Sequence, residues 1–245
     1  MSFRHVRLPL SAWLAFWAGY ADVITFDRYH AFSASMTGNV VLFSRVYNEE
    51  TMFPGFSFYG AVISCYYLGS LVYHALFLMA PARAATIAGI FFGAVAVIVD
   101  TIFNVYHYKP VRDKDQKWFL CGLTPIFGVQ AAVCTDRCLG NPTTAVLAHF
   151  DILARTSAKL SFERLSVEEQ RKAFSSLAAL TFFVFGAFVG DLAGGRHNDT
   201  KWCYMAVGPA VALALVLCDL VVGPQDCRMP SIRRVDSETS DSTAD

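Results

Sequence analysis

Residues 18–45 read AGYADVITFDRYHAFSASMTGNVVLFSR, a stretch that sets three charged side chains between two apolar runs. Asp22, Asp27 and Arg28 come first, and Ser33, Ser35, Thr37 and Asn39 follow. The surroundings make this a constraint. The chain is 55% hydrophobic and 16% charged, where roughly 25% charged is usual, and its mean hydropathy is +0.41. That composition fits an all-α polytopic membrane protein, whose backbone polar groups are satisfied inside helices. There a carboxylate or guanidinium within a span is costly, and its default reading is a site.

Other classes drop out. Lys+Arg and Asp+Glu balance at 20 each, no basic patch interleaves with aromatics, and no Gly-rich phosphate loop is present, so no nucleic-acid partner is expected. Neither HExxH nor GxSxG occurs, and no enzyme activity or cofactor is expected. The seven cysteines lie mostly in apolar runs, where a free thiol behaves as a small hydrophobe. Cys134 and Cys138 have no nearby Cys/His pair to complete a zinc site, so no metal is expected. The basic, then apolar N-terminus resembles a signal peptide. Its apolar run, Leu8–Phe26, is 19 residues long, and many further spans follow, so an uncleaved first helix is the better reading.

That first span covers about 28 Å as a helix, close to the hydrocarbon thickness of about 30 Å. Ser11, Ala15, Gly19 and Asp22 share one side, predicted to face the bundle. Trp13, Phe16, Trp17, Tyr20 and Ile24 crowd the other, predicted to face lipid. The remaining segments are Ala31–Tyr47 (short and polar), Pro54–Ala80, Ala84–Phe103, Trp118–Val133, Pro142–Ala154 (short again), Ala173–Leu192 and Trp202–Val222. Ser166–Gln170 resembles a helix-capping start. Residues 1–222 therefore read as one membrane domain, and 223–245 as a disordered cytoplasmic tail.

Long, short, long, long occurs twice, which predicts two internal repeats, about 8–103 and 118–222. Gly19 and Asp27-Arg28 recur as Gly128 and Asp136-Arg137 at a spacing of 109, and Gly89 and Asp100 as Gly208 and Asp219 at 119. If all eight segments cross, the termini's side holds 15 Lys/Arg against 5; if the two short ones re-enter, the split is 12 to 8. The positive-inside rule then favours eight crossings, parallel repeats and cytoplasmic termini. Six crossings would make the repeats inverted.

Ala18-Gly19-Tyr20-Ala21-Asp22, Phe32 and above all Met36-Thr37-Gly38-Asn39 resemble the YoaK family of integral membrane proteins, a family of unknown function. Gly128-Val129-Gln130 and Thr143-Thr144-Ala145-Val146 are similar to its second half. The resemblance spans about residues 8–222. Where the family carries an amide after Gln and a Thr-Gly pair, this chain has Ala131 and Leu147-Ala148, then His149.

The candidate solute- or ion-binding residues are Gly19, Asp22, Asp27, Arg28, Thr37, Gly38, Asn39, Gln130, Asp136, Arg137 and His149. Asp22 reads as a proton or cation carrier or substrate anchor, or else as a helix-end carboxylate paired with Arg28. A mid-membrane charge costs about 2.5–3.5 kcal/mol on insertion scales, less near a span's end. Thr37-Gly38-Asn39 reads as a backbone break offering amides to a ligand, or as a packing site. Repeat symmetry favours cross-pairing of Asp27 with Arg137 and Arg28 with Asp136, against the plainer reading of interfacial charges. Asp100, Asp191 and Asp219 read as interfacial. The expected partners are the bilayer and a small solute or ion, with homo-oligomerisation compatible. The expected function is transport, with proton coupling through Asp22 as one form of it, in a cavity lined by Asp22, Asn39 and the Gly128 region; the alternative is a scaffold or sensor with a dry centre.

Overall fold

The computed structural model describes residues 4–48, 55–107, 116–136, 139, 146–160, 165–195 and 204–222. Among them are nine α-helices: α1 (Arg4–Tyr29), α2 (Met36–Asn48), α3 (Phe56–Met79), α4 (Ala84–Ile102), α5 (Phe119–Leu123), α6 (Pro125–Asp136), α7 (Val146–Leu160), α8 (Val167–Gly195) and α9 (Val207–Val221). Four stretches are long and apolar enough to cross a membrane: α3, α4 with the turn after it, α5 with α6, and α8. The chain is an all-α membrane protein. The tail after residue 222 lies outside the described residues.

Three seams organise the bundle, α1 along α8, α3 along α6 and α4 along α9. Each is cut by glycines that let backbones approach without side chains between them. A Cβ at Gly19 would collide with the Phe183 carbonyl, and one at Gly186 with the Phe16 carbonyl. The second seam repeats this: Gly128 faces the Tyr66 carbonyl, and Gly69 faces that of Pro125. The correspondence is numerical. Gly19 and Phe16 lie 109 residues before Gly128 and Pro125, and Tyr66 and Gly69 lie 117 before Phe183 and Gly186.

Helix directions follow from which residues meet. The Tyr59 hydroxyl donates to the His30 carbonyl at 2.9 Å, so α3 begins where α1 ends. Arg28 meets Asp100 at 2.8 Å, so α4 ends at that same far face. Trp118 packs edge-on against Phe58 at 5.9 Å, and Asp136 meets His74 at 3.4 Å; α5–α6 therefore runs parallel to α3. Gly186 beside Phe16 and Gly190 beside Tyr20 make α8 parallel to α1. Gly93 beside Gly208 and Gly89 beside Leu215 make α9 antiparallel to α4.

Two consequences follow. α1 ends and α3 begins at one face, so α2, between them, returns to the face it left. Likewise α6 ends and α8 begins at the opposite face, so α7 makes no net crossing. Six traverses result, with α1 starting and α9 ending at the same near face. The eight-crossing expectation is corrected: α2 is 13 residues long, about 20 Å, and folds back instead of spanning.

The inward face of α1 is as predicted, with Ser11, Ala15 and Asp22 buried and Trp13 exposed. Ile24 departs from the prediction and is fully buried, and Trp17 and Tyr20, also predicted to face lipid, pack partly buried against the core. The capping start is also present. Ser166 Oγ accepts from the Glu169 amide at 3.3 Å, and Glu169 Oε2 accepts from the Ser166 amide at 3.1 Å, satisfying two donors at the start of α8.

Candidate functional site

The chain reverses immediately after α1. His30 takes φ 54, a left-handed conformation that His adopts more readily than most residues. Residues 31–35 then run back along α1 to the level of Asp22. Asp22 Oδ1 accepts from the Ala34 amide at 2.7 Å, the Ser35 amide at 3.3 Å and the Ser33 hydroxyl at 3.4 Å. Its Oδ2 accepts from the Ser35 hydroxyl. These donors precede the first turn of α2, so the carboxylate caps a helix N-terminus, where backbone N–H groups and the helix dipole both favour an anion.

A second lock holds the same tip. Asn39 Oδ1 accepts from the Phe32 amide at 2.9 Å, and its Nδ2 donates to the Phe32 carbonyl at 2.6 Å. One side-chain amide thus satisfies both backbone groups of a residue outside any helix. Gly38 makes room for the Phe32 ring: a Cβ there would stand 2.6 Å from it. That ring stacks on Phe26 at 4.9 Å. The Gly38-Asn39 pair is therefore a seat for Phe32. Neither residue offers its polar groups outward, and Thr37 is exposed.

Around Arg28 lies a buried ion-pair cluster. Arg28 Nη1 donates to Asp100 Oδ1 at 2.8 Å, with both side chains almost fully enclosed. Asn104 Nδ2 donates to the other Asp100 oxygen at 2.9 Å, and the guanidinium lies 5.1 Å over the Phe103 ring. The buried hydroxyls of Tyr29 and Tyr204 lie beside Arg28 and Ser33 respectively, without reaching good hydrogen-bond geometry. The Arg28–Asp136 pairing that repeat symmetry favours is thereby replaced, and the interfacial reading of Arg28 and of Asp100 is corrected. Asp136 faces His74, and Asp27 is exposed. Arg137 lies outside the described residues.

The other candidates scatter. Gln130 is buried in α6 and donates to the Leu14 carbonyl of α1 at 3.1 Å. His149 is buried in α7, and Asp151 pairs within its own helix with Arg155 at 3.0 Å. Gly128 is spent on the Tyr66 seam. Asp191 is exposed, while Asp219 accepts from the Thr86 amide at 2.6 Å.

A partly open cavity of about 320 Å³ adjoins the tip of α2. Asp22, Ser35 and Gly38 line one side, with Phe26 and Phe32 beside them. Gly19, Phe183 and Ala187 line the α1–α8 side. The cavity joins Asp22 to Gly19 and Gly38 as expected. It leaves out Asn39, turned to Phe32, and the Gly128 region. Among the described residues no group of three or more His, Cys, Asp or Glu could hold a metal ion.

Comparison with known proteins places the chain in a family. A family model described as "Protein of unknown function (DUF1275)" matches residues 10–218, and the chain belongs to that family. No curated protein and no solved structure matches it.

Proposed function

We propose that this member of the DUF1275 family moves a small solute or ion across its membrane, with Asp22 at the binding end of α2 and available for proton coupling. The observation that carries the reading is the re-entry itself. Residues 31–35 enter from the far face to a buried carboxylate, the short helix α2 starts there and runs back out, and a 320 Å³ cavity adjoins that point. Interrupted helices whose N-termini meet at a binding site are how many secondary transporters hold their cargo.

The architecture supports the same reading. α1–α4 and α5–α9 are, in this proposal, two copies of one unit inserted in opposite directions. The reciprocal seams, Gly19–Phe183 matching Gly128–Tyr66 and Gly69–Pro125 matching Gly186–Phe16, support that duplication, and the opposed directions of α1 and α6 support the inversion. The near face, with 12 Lys/Arg against 8, is assigned to the cytoplasm. On its Met36–Asn39 stretch we also assign the chain to the YoaK-like proteins. Its role is carriage and not catalysis, with the bilayer as its partner.

One observation favours a second reading, a scaffold or sensor. Asp22 and Asn39 already spend most of their hydrogen-bonding capacity on the loop. The two readings separate in proteoliposomes. Solid-supported-membrane recording across a panel of ions and small solutes should find a flux that Asp22→Asn abolishes while the protein still elutes as folded. A folded wild-type protein silent across the panel, with tail truncation as the damaging change in cells, would favour the scaffold.

A further inference from the structure

We infer that the cavity beside the α2 tip binds a lipophilic organic ammonium ion, a charged amine on an aromatic or aliphatic body. The inference deepens the transport reading and rests on it for the claim that the bound species is cargo. Three observations converge. First, the partners of the Asp22 carboxylate among the described residues are all neutral: two backbone amides and two serine hydroxyls. The nearby guanidinium of Arg28 is committed to Asp100, so no cation among the described residues balances Asp22.

Second, the two carboxylate oxygens are unequally used. Among the described residues Oδ1 accepts three hydrogen bonds, whereas Oδ2 accepts one, from Ser35 Oγ. An ionised carboxylate has about four acceptor sites in all, and the oxygen with spare capacity is the one bonded to Ser35, itself a cavity-lining residue. An ammonium donor at this edge of the wall would join Oδ2 beside Ser35 Oγ and leave the three Oδ1 bonds that cap α2 in place.

Third, the rest of the wall is apolar and partly aromatic. Phe26 and Phe32 stack at 4.9 Å with only 20° between their planes, and Val23, Phe183 and Ala187 add further apolar surface. Inorganic cations demand several oxygen ligands, which this wall lacks. An ammonium group on a carbon body matches it, with the carboxylate meeting the charge and the rings meeting the body, aided by cation–π attraction. At about 30 Å³ per water-sized group, the cavity takes on the order of ten non-hydrogen atoms.

The test is calorimetric titration of the full chain in lipid nanodiscs, with empty nanodiscs as reference. The probes are 2-phenylethylammonium and 2-phenylethanol, its neutral counterpart of equal size. The amine should bind saturably and about tenfold or more tighter than the alcohol. Asp22→Asn should remove that preference and leave alcohol binding unchanged. Should Asp22→Asn misfold, Ala187→Leu keeps the test open: it fills the cavity from α8, leaves Asp22 and its donors intact, and should weaken both probes. Equal binding of the two probes, as for a groove that holds a lipid chain, would overturn the inference. So would amine binding that survives Ala187→Leu, or no amine binding by folded wild-type protein. In those cases flux of another solute, lost in Asp22→Asn, would still uphold the transport reading.

Discussion

Asp100→Asn is the substitution whose consequence can be worked out most fully. Arg28 and Asp100 are each about 1% exposed, their N–O separation is 2.8 Å, and 72 residues separate them in sequence. Removing the carboxylate charge leaves a buried guanidinium without its anionic partner; the Phe103 face, which lies 5.1 Å from it, offsets only about 0.5–2 kcal/mol. Breaking a buried pair on one side costs about 3–5 kcal/mol, because the remaining charge stays desolvated and uncompensated. Arg28→Met should cost a similar amount by stranding Asp100. The double variant Arg28→Met/Asp100→Leu leaves no unpaired charge, and Asn104 keeps its bond to the Asp100 backbone carbonyl; apolar replacement of a buried pair is often neutral or stabilising. Unfolding in mixed micelles, followed by tryptophan fluorescence, should therefore rank the double variant above either single. If the double variant instead lost the sum of the two single losses, the residues would be acting independently, and the account of this cluster would be wrong.

Other substitutions probe the tip and the seams. Asn39→Leu strands the amide and carbonyl of Phe32, about 1–3 kcal/mol for each buried group left unpaired. Hydrogen exchange should quicken across residues 30–39 and not in α4 or α9; unchanged protection would contradict the lock. Gly186→Ala forces a Cβ into the Phe16 carbonyl, an overpacking cost of about 1–3 kcal/mol. Gly60→Ala, whose Cβ would meet only the Phe43 ring at 3.5 Å, should be neutral in the same melt. Equal melts for the two would remove the argument for close backbone seams.

Much of this arrangement was legible in the sequence where the signal is local. The small-residue stripe of α1, the Ser166 cap and the two short segments all follow from spacing along the chain. The direction of α2 was not legible. Hydropathy reports how apolar a segment is, and Lys/Arg counting depends on which side the short segments are assigned to. What turns α2 back is a set of hydrogen bonds, from the Ala34 amide to Asp22 and from the Phe32 amide to Asn39, that join residues 12 and 7 apart. The Arg28–Asp100 pair was hidden for a related reason. Asp100 sits near the end of its helix, where a carboxylate usually reaches water, and only the assembled bundle, which brings Arg28 of α1 to it, encloses it. Tyr29 and Tyr204 gave no signal at all, since a tyrosine near a span's end reads as an interface anchor.

The central claim is that α2 enters and leaves by one face, carrying its tip to Asp22. Single cysteines labelled in sealed vesicles with a membrane-impermeant maleimide test it directly. His30→Cys and Ser57→Cys flank α2, Arg83→Cys and Glu168→Cys mark the opposite face, and all four positions are exposed. The account predicts that His30→Cys and Ser57→Cys label from the same side, and the other two from the other side. Labelling of His30→Cys and Ser57→Cys from opposite sides would mean that α2 crosses the membrane, and would contradict it.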